Sequence, residues 1–120
     1  MSHRPGWMDE LFKAIDAKDA ARFTSFISAN GTFVFANAPA VTGRTAIRDA
    51  VAGFFASIHG LSHDVQSVAQ DGSQVWSRGI VTYVRHDGSS LTAPFCNYFE
   101  MENGAVRHYQ IYVDASALHG

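Results

Sequence analysis

A single cysteine, Cys96, stands among the 120 residues, so no disulfide can close within the chain and nothing here depends on an oxidising compartment. Charge is scarce too: Asp, Glu, Lys and Arg make up 17% of the residues, against about 25% in an average soluble protein. With a net charge of −2 there is no electrostatic case for nucleic acid or for an anionic membrane. No apolar run approaches the ~20 residues of a membrane span. The opening M-S-H-R-P-G-W-M-D-E-L lacks the apolar core of a signal peptide. A soluble, cytoplasmic protein is expected. His, Cys, Asp and Glu nowhere fall at metal-ligand spacings such as H-x-x-x-H or C-x-x-C, so no metal is expected. The motifs G-x-G-x-x-G, P-loop and G-x-S-x-G are missing, which removes nucleotide cofactors and serine hydrolases as motif-based proposals, and no cofactor is expected.

What the chain does have is apolar and aromatic mass. Apolar residues are 47% and nine residues are Phe, which excludes disorder and a coiled coil. At about 150 residues per domain the length allows one, spanning 1–120.

Met8, Leu11, Phe12 and Ile15 recur at helical spacing, and Asp9 and Glu10 suit a first helical turn. Asp19 is placed to cap a second helix carrying Phe23, Phe26 and Ile27, which Asn30-Gly31 would end. The period then changes to two over 32–37, a short strand stopped by Ala38-Pro39. Thr42 and Thr45 are candidate caps for a third helix with the stripe Ile47, Ala50, Val51, Phe54, Phe55 and Ile58. Three hairpin signals follow, Asp71-Gly72, Asp87-Gly88 and Asn103-Gly104, separating strands at 62–70, 74–85, 90–102 and 105–114. The expectation is an α+β fold: about three N-terminal helices packed on a strongly curved antiparallel sheet, with no parallel pair inside 62–114.

The string F-V-F-A-N-A-P-A-V-T-G-R-T-A-I at 33–47 and the ending N-G-A-V-R-H-Y-Q-I-Y-V-D-A-S-A-L at 103–118 resemble the nuclear transport factor 2-like superfamily, nearest its SnoaL-like branch. The resemblance covers nearly the whole chain. It implies a cone-shaped, cystatin-like fold, a pocket between the helices and the concave sheet, and a homodimer through the outer sheet face. That outer face would use Val81, Tyr83, Cys96, Tyr98 and Tyr112.

The resemblance also shows what chemistry is missing. Where limonene epoxide hydrolases carry a water-positioning Tyr and Asn, this chain reads Phe35 and Asn37. Their bridging Arg matches Arg78, but their two carboxylates fall on Ile80 and Ile111. Ketosteroid isomerases need an Asp base near 35–37 and a second acid near Asn97. SnoaL-type cyclases place a carboxylate near Ile111. In each case the usual base is absent.

If Arg78 faces the pocket, strand alternation brings Trp76 with it. The candidate ligand-binding wall is then Phe35, Asn37, Trp76, Arg78, Phe95, Asn97, Phe99, Tyr109, Ile111 and Val113, an apolar surface with few polar groups. A core filled without a void is the alternative. Arg78 either receives an anionic oxygen of a ligand, pairs with Asp64 or an acid of the N-terminal helix, or lies in solvent. His63 is the remaining candidate for a general base, with a hydrogen-bonded structural histidine as the alternative. Tyr109 is the second candidate catalytic residue. His3, His59, His86 and His119 read as surface or terminal residues, His108 as facing outward, and Asp114 as a cap of a terminal turn.

The expected function is binding of a small hydrophobic molecule, aromatic or alicyclic and anionic if Arg78 takes part, with weak or no catalysis. An isomerase, cyclase or dehydratase using His63 or Tyr109 is the second reading, and a non-catalytic dimer with a vestigial cavity the third.

Overall fold

The computed structural model describes residues 5–119, so His3 lies outside the described residues. In chain order the elements are α1 (Gly6–Asp16), α2 (Ala20–Ser25), β1 (Ile27–Phe35), β2 (Val41–Thr42), α3 (Arg44–Ala56), β3 (Gly60–Asp71), β4 (Gln74–Val84), β5 (Ser90–Glu102) and β6 (Ala105–Val113). Three helices pack on a six-stranded, mostly antiparallel sheet, as expected for the α+β class. No helix among the described residues is long and apolar enough to cross a membrane.

The apolar stripes choose the buried helix faces. Met8, Leu11, Phe12 and Ile15 of α1 and Ile47, Val51 and Phe55 of α3 are buried. The helices are tied at their ends. Lys18, at φ 56°, turns the chain out of α1, and its Nζ donates to the carbonyls of Phe55 and Ile58 at 3.3 and 3.0 Å. A cation at these carbonyls satisfies groups that the end of a helix leaves open. Asp19 caps α2 by accepting from the Arg22 N–H at 3.0 Å.

Two local expectations are corrected. The helix does not run to Asn30-Gly31; it ends at Ser25, and Ile27 already belongs to β1. β1 pairs in parallel with β6, and its register jumps between Ile27↔Val106 and Thr32↔His108, so Asn30-Gly31 sits in an irregularity of a strand. Backbone pairing across the sheet overrides the local helical pattern there. Neither Thr42 nor Thr45 caps α3: Gly43 holds the cap position at φ 91° without a side-chain bond.

The sheet order is β2-β1-β6-β5-β4-β3, and β3 to β6 form an antiparallel meander. Asn103 and Gly104 both have positive φ, as a mirror-image two-residue turn needs. The other turns are shifted or longer than expected. Asp71 pairs with Gln74, which makes Gly72-Ser73 the turn. Val84 pairs with Ser90, leaving a five-residue loop around Asp87-Gly88.

A bulge in β3 between Val65 and Ser67 lies against Gly79 of β4, where an added Cβ would come within 1.9 Å of the Asp64 carbonyl oxygen. Such bulges bend a strand and increase its twist. Val75, Ser77, Val81 and Tyr83 are buried on the helix-facing side of β4, while Arg78 is exposed. This reverses the parity expected for Trp76 and Arg78. Both rows of β4 carry apolar residues, so alternation alone does not choose; keeping a guanidinium in water does. Val81 and Tyr83 are therefore removed from the outer face. Cys96, Tyr98 and Tyr112 alternate with buried Phe95, Asn97, Phe99 and Tyr109, and stay on it.

Candidate functional site

A cavity of about 220 Å³ lies between the helix layer and the curved sheet. Ile15, Phe23, Val51, Phe54 and Phe55 close it from the helices, and Phe33, Phe35, Phe95 and Ile111 from the sheet. Ala38 and Pro39 add a wall from the segment after β1. Its polar groups are few: His63, Tyr83, Asn97 and Tyr109. Among the described residues no Arg, Lys, Asp or Glu lines it.

Of the residues expected on this wall, Phe35, Phe95, Asn97, Tyr109 and Ile111 are brought together, and the candidate base His63 joins them. The others are not. Arg78 is exposed, with its Nη1 3.5 Å from Gln66 Oε1, in an outward groove with Ile80, Cys96 and Tyr112. Trp76 packs on Tyr98 at 5.6 Å between ring centroids, on the same outer side. Asn37 is exposed in the turn after β1. Phe99 is fully buried but packs between Trp7 and Tyr109, at 5.2 and 4.5 Å, beyond the cavity. Val113 packs against the core without reaching the wall. Arg78 was placed by likeness to another family's bridging arginine, and Trp76 followed it by parity. With Arg78 outside, the cavity has no preference for an anion. His59, His86 and His119 are exposed, and Asp114 accepts from the N–H of Ser116 at 3.1 Å in a turn.

His63 sits on β3, where it lines the cavity from one side and an outer cleft beside α1 from the other. Its side chain is 11% exposed. Nδ1 lies 2.7 Å from Asp16 Oδ1, and the backbone N–H of His63 donates to Asp16 Oδ2 at 3.2 Å. The ring is held between Phe12 and Phe95, at 5.0 and 5.2 Å. A carboxylate accepting from Nδ1–H fixes the tautomer, so Nε2 is left as a hydrogen-bond acceptor. Asp16 was not picked out from the sequence. It ends α1, where the helix dipole disfavours a negative charge. An acid at that unfavourable end was the available signal.

Tyr109 and Tyr83 are buried. Burial pushes the Tyr83 phenol up to about 12, and burial with the nearby Tyr83 and Asp16 raises that of Tyr109 as well. Both stay protonated near neutrality and can only donate a proton into a hydrogen bond or accept one as neutral hydroxyls. Tyr109 is thus a donor and no base. Among the described residues no cluster of three or more His, Cys, Asp or Glu could hold a metal ion.

The architecture matches solved structures. A protein of ketosteroid isomerase-like fold from Catenulispora acidiphila, in complex with trimethylamine, superposes with a TM-score of 0.85 at 17% identity, over 92% of this chain and 86% of that one. TerC, co-crystallised with polyporic acid, gives 0.82 at 15% identity over 93% and 92%. An LEH-like epoxide hydrolase from M. tuberculosis gives 0.77 at 12% identity over 91% and 80%. No curated protein matches the sequence. These likenesses establish the nuclear transport factor 2-like fold. The family model for the SnoaL-like domain matches residues 8–109, from the first buried methionine of α1 to the cavity tyrosine of β6, and the chain belongs to that family.

Proposed function

We propose that the chain binds a small, neutral ring compound in the cavity and that His63 moves a proton on it, in a reaction of the isomerase, cyclase or dehydratase type. The observation that carries this reading is the His63–Asp16 pair, whose imidazole lies on the wall of an apolar cavity. At about 220 Å³ the cavity exceeds the ~150 Å³ that accommodates benzene, yet falls below the ~300–1,000 Å³ of pockets for drug-sized ligands. One ring, or two fused ones, fits. That volume counts against a vestigial cavity.

In the step envisaged, His63 Nε2 takes a proton from the carbon beside a ring carbonyl. The C–H electron pair becomes a C=C bond, and the carbonyl π pair moves to oxygen. The resulting enolate oxygen accepts from the Tyr109 or Tyr83 hydroxyl. His63 then returns its proton to another carbon or to a departing hydroxide. A positioned base of this kind contributes about 10²–10⁴-fold. The test is deuterium incorporation into small cyclic ketones in heavy water, followed by NMR for wild type and His63→Gln. Equal exchange with both proteins would sink the catalytic half.

Binding without chemistry is the second reading. It is supported by Ile111, which puts a hydrocarbon on the wall where SnoaL-type cyclases were expected to carry a carboxylate.

A second copy on the outer sheet face belongs to the same proposal. Tyr112 there is 54% exposed beside Cys96, Pro94 and Ile80, an apolar surface of the kind that marks contacts. Sedimentation at micromolar concentration should give twice the chain mass, and Tyr112→Lys should lower it. A monomeric wild type would refute the contact.

A further inference from the structure

The floor of the cavity holds a polar group that the protein itself leaves unsatisfied. Asn97 of β5 is 1% exposed and lines the cavity between the inward positions of Phe95 and Phe99. Among the described residues its side-chain Oδ1 has no hydrogen-bond partner. The neighbours set by the sheet register do not supply one. On the β6 side Asn97 stands opposite Ile111, which has no donor in its side chain. On the β4 side it stands opposite Ser77, whose hydroxyl makes no bond to it and is itself buried without a partner. Of the cavity's other polar groups, His63 turns Nδ1 to Asp16, and neither tyrosine hydroxyl is bonded to the amide.

A buried carbonyl oxygen without a donor is costly, because it has given up water and gained nothing in return. Leucine or valine would fill the same place in an apolar floor without that cost. Stability does not explain an amide there, but recognition does. From this we infer that the ligand of the cavity donates a hydrogen bond, through a hydroxyl or N–H, and that Asn97 is the residue that selects for it. This rests on the ring-binding reading above and specifies its ligand class: a ring with a donor on the edge that meets β5. The selection works by rejection. A ring of the same size with no donor leaves Oδ1 unsatisfied, whereas a donor ring relieves it, and sites built this way discriminate more strongly than apolar contacts can. The donor has to be neutral, since an ammonium would enter a wall of phenyl and aliphatic groups with no carboxylate to meet it.

Three rings of similar shape test this by titration calorimetry on the full chain. Para-cresol donates and accepts, para-methylanisole only accepts, and para-xylene does neither. Wild type should bind para-cresol roughly tenfold tighter than either of the others. Asn97→Leu should bind para-xylene and lose the preference for para-cresol. Equal affinity of wild type for all three would overturn the role of Asn97 while leaving ring binding intact, as would a preference retained in Asn97→Leu. No binding of any of the three to wild type would overturn the ring-binding reading, and this inference with it. The wild-type series decides the question even if the leucine variant does not fold.

Discussion

Asp16 holds His63 at two points: Oδ1 is 2.7 Å from the imidazole Nδ1, and Oδ2 accepts the backbone N–H of the same residue at 3.2 Å. The pair joins the end of α1 to β3 across 47 positions of sequence. Asp16→Asn keeps the shape but removes the charge that steadies a protonated imidazole. Deuterium exchange into a bound ketone should fall by roughly 10²-fold or more, while affinity for para-xylene stays at the wild-type value. A parallel loss of affinity and rate would make Asp16 a structural residue only.

Arg78→Met should leave ring binding untouched. The guanidinium is exposed on the convex side, bonded to Gln66 rather than turned to the cavity, and methionine retains much of the stem. A tenfold change in para-cresol affinity on this substitution would contradict the observed face of β4.

Tyr83 makes stability fall at high pH. Its phenol ionises at the ordinary 10.0 when unfolded but is held to about 12 by burial in the fold. The folded chain therefore keeps a proton that the unfolded chain releases. The stabilisation is complete below about pH 10 and is lost as pH rises through the folded value. Tyr109 shifts in the same direction. Melting temperature should decline from pH 10 upward, and less steeply in Tyr83→Phe. An unchanged slope would show that Tyr83 is not the residue responsible.

Gly79→Ala should destabilise the sheet by about 1–3 kcal/mol or more. The new methyl would lie 1.9 Å from the Asp64 carbonyl oxygen, a backbone atom that cannot swing away. Urea unfolding of wild type and variant measures the difference. A midpoint unmoved by the substitution would mean that the bulge at Val65 yields without cost.

Much of the frame was readable from the chain. The stripes of α1 and α3 repeat at helical spacing, and Asn103-Gly104 names its own turn, because few other pairs accept positive φ twice. The β5 alternation of Phe95, Asn97 and Phe99 against Cys96 and Tyr98 was legible too, and it brought Asn97 and Tyr109 into view together. The face of β4 was not. Its two rows are Val75, Ser77, Gly79, Val81, Tyr83 and Trp76, Arg78, Ile80, Thr82, and each looks half-buried when read alone. Shifting a strand by one residue exchanges those rows, and what separates them is the Arg78 guanidinium, which stays in water only when its row faces outward.

By itself, then, the sequence determined the element types, their order and the apolar character of the interior, because these follow from local periodicity and turn chemistry. Tertiary structure alone decided which polar groups share the cavity. Asp16 and His63 meet only when α1 docks on β3; Asn97 Oδ1 is left without a partner among the described residues where Ile111 and Ser77 flank it; Arg78 leaves the site only when β4 presents its other face. Each is a contact between distant segments, fixed by packing and register, and periodicity along one segment carries no record of its neighbour across the sheet.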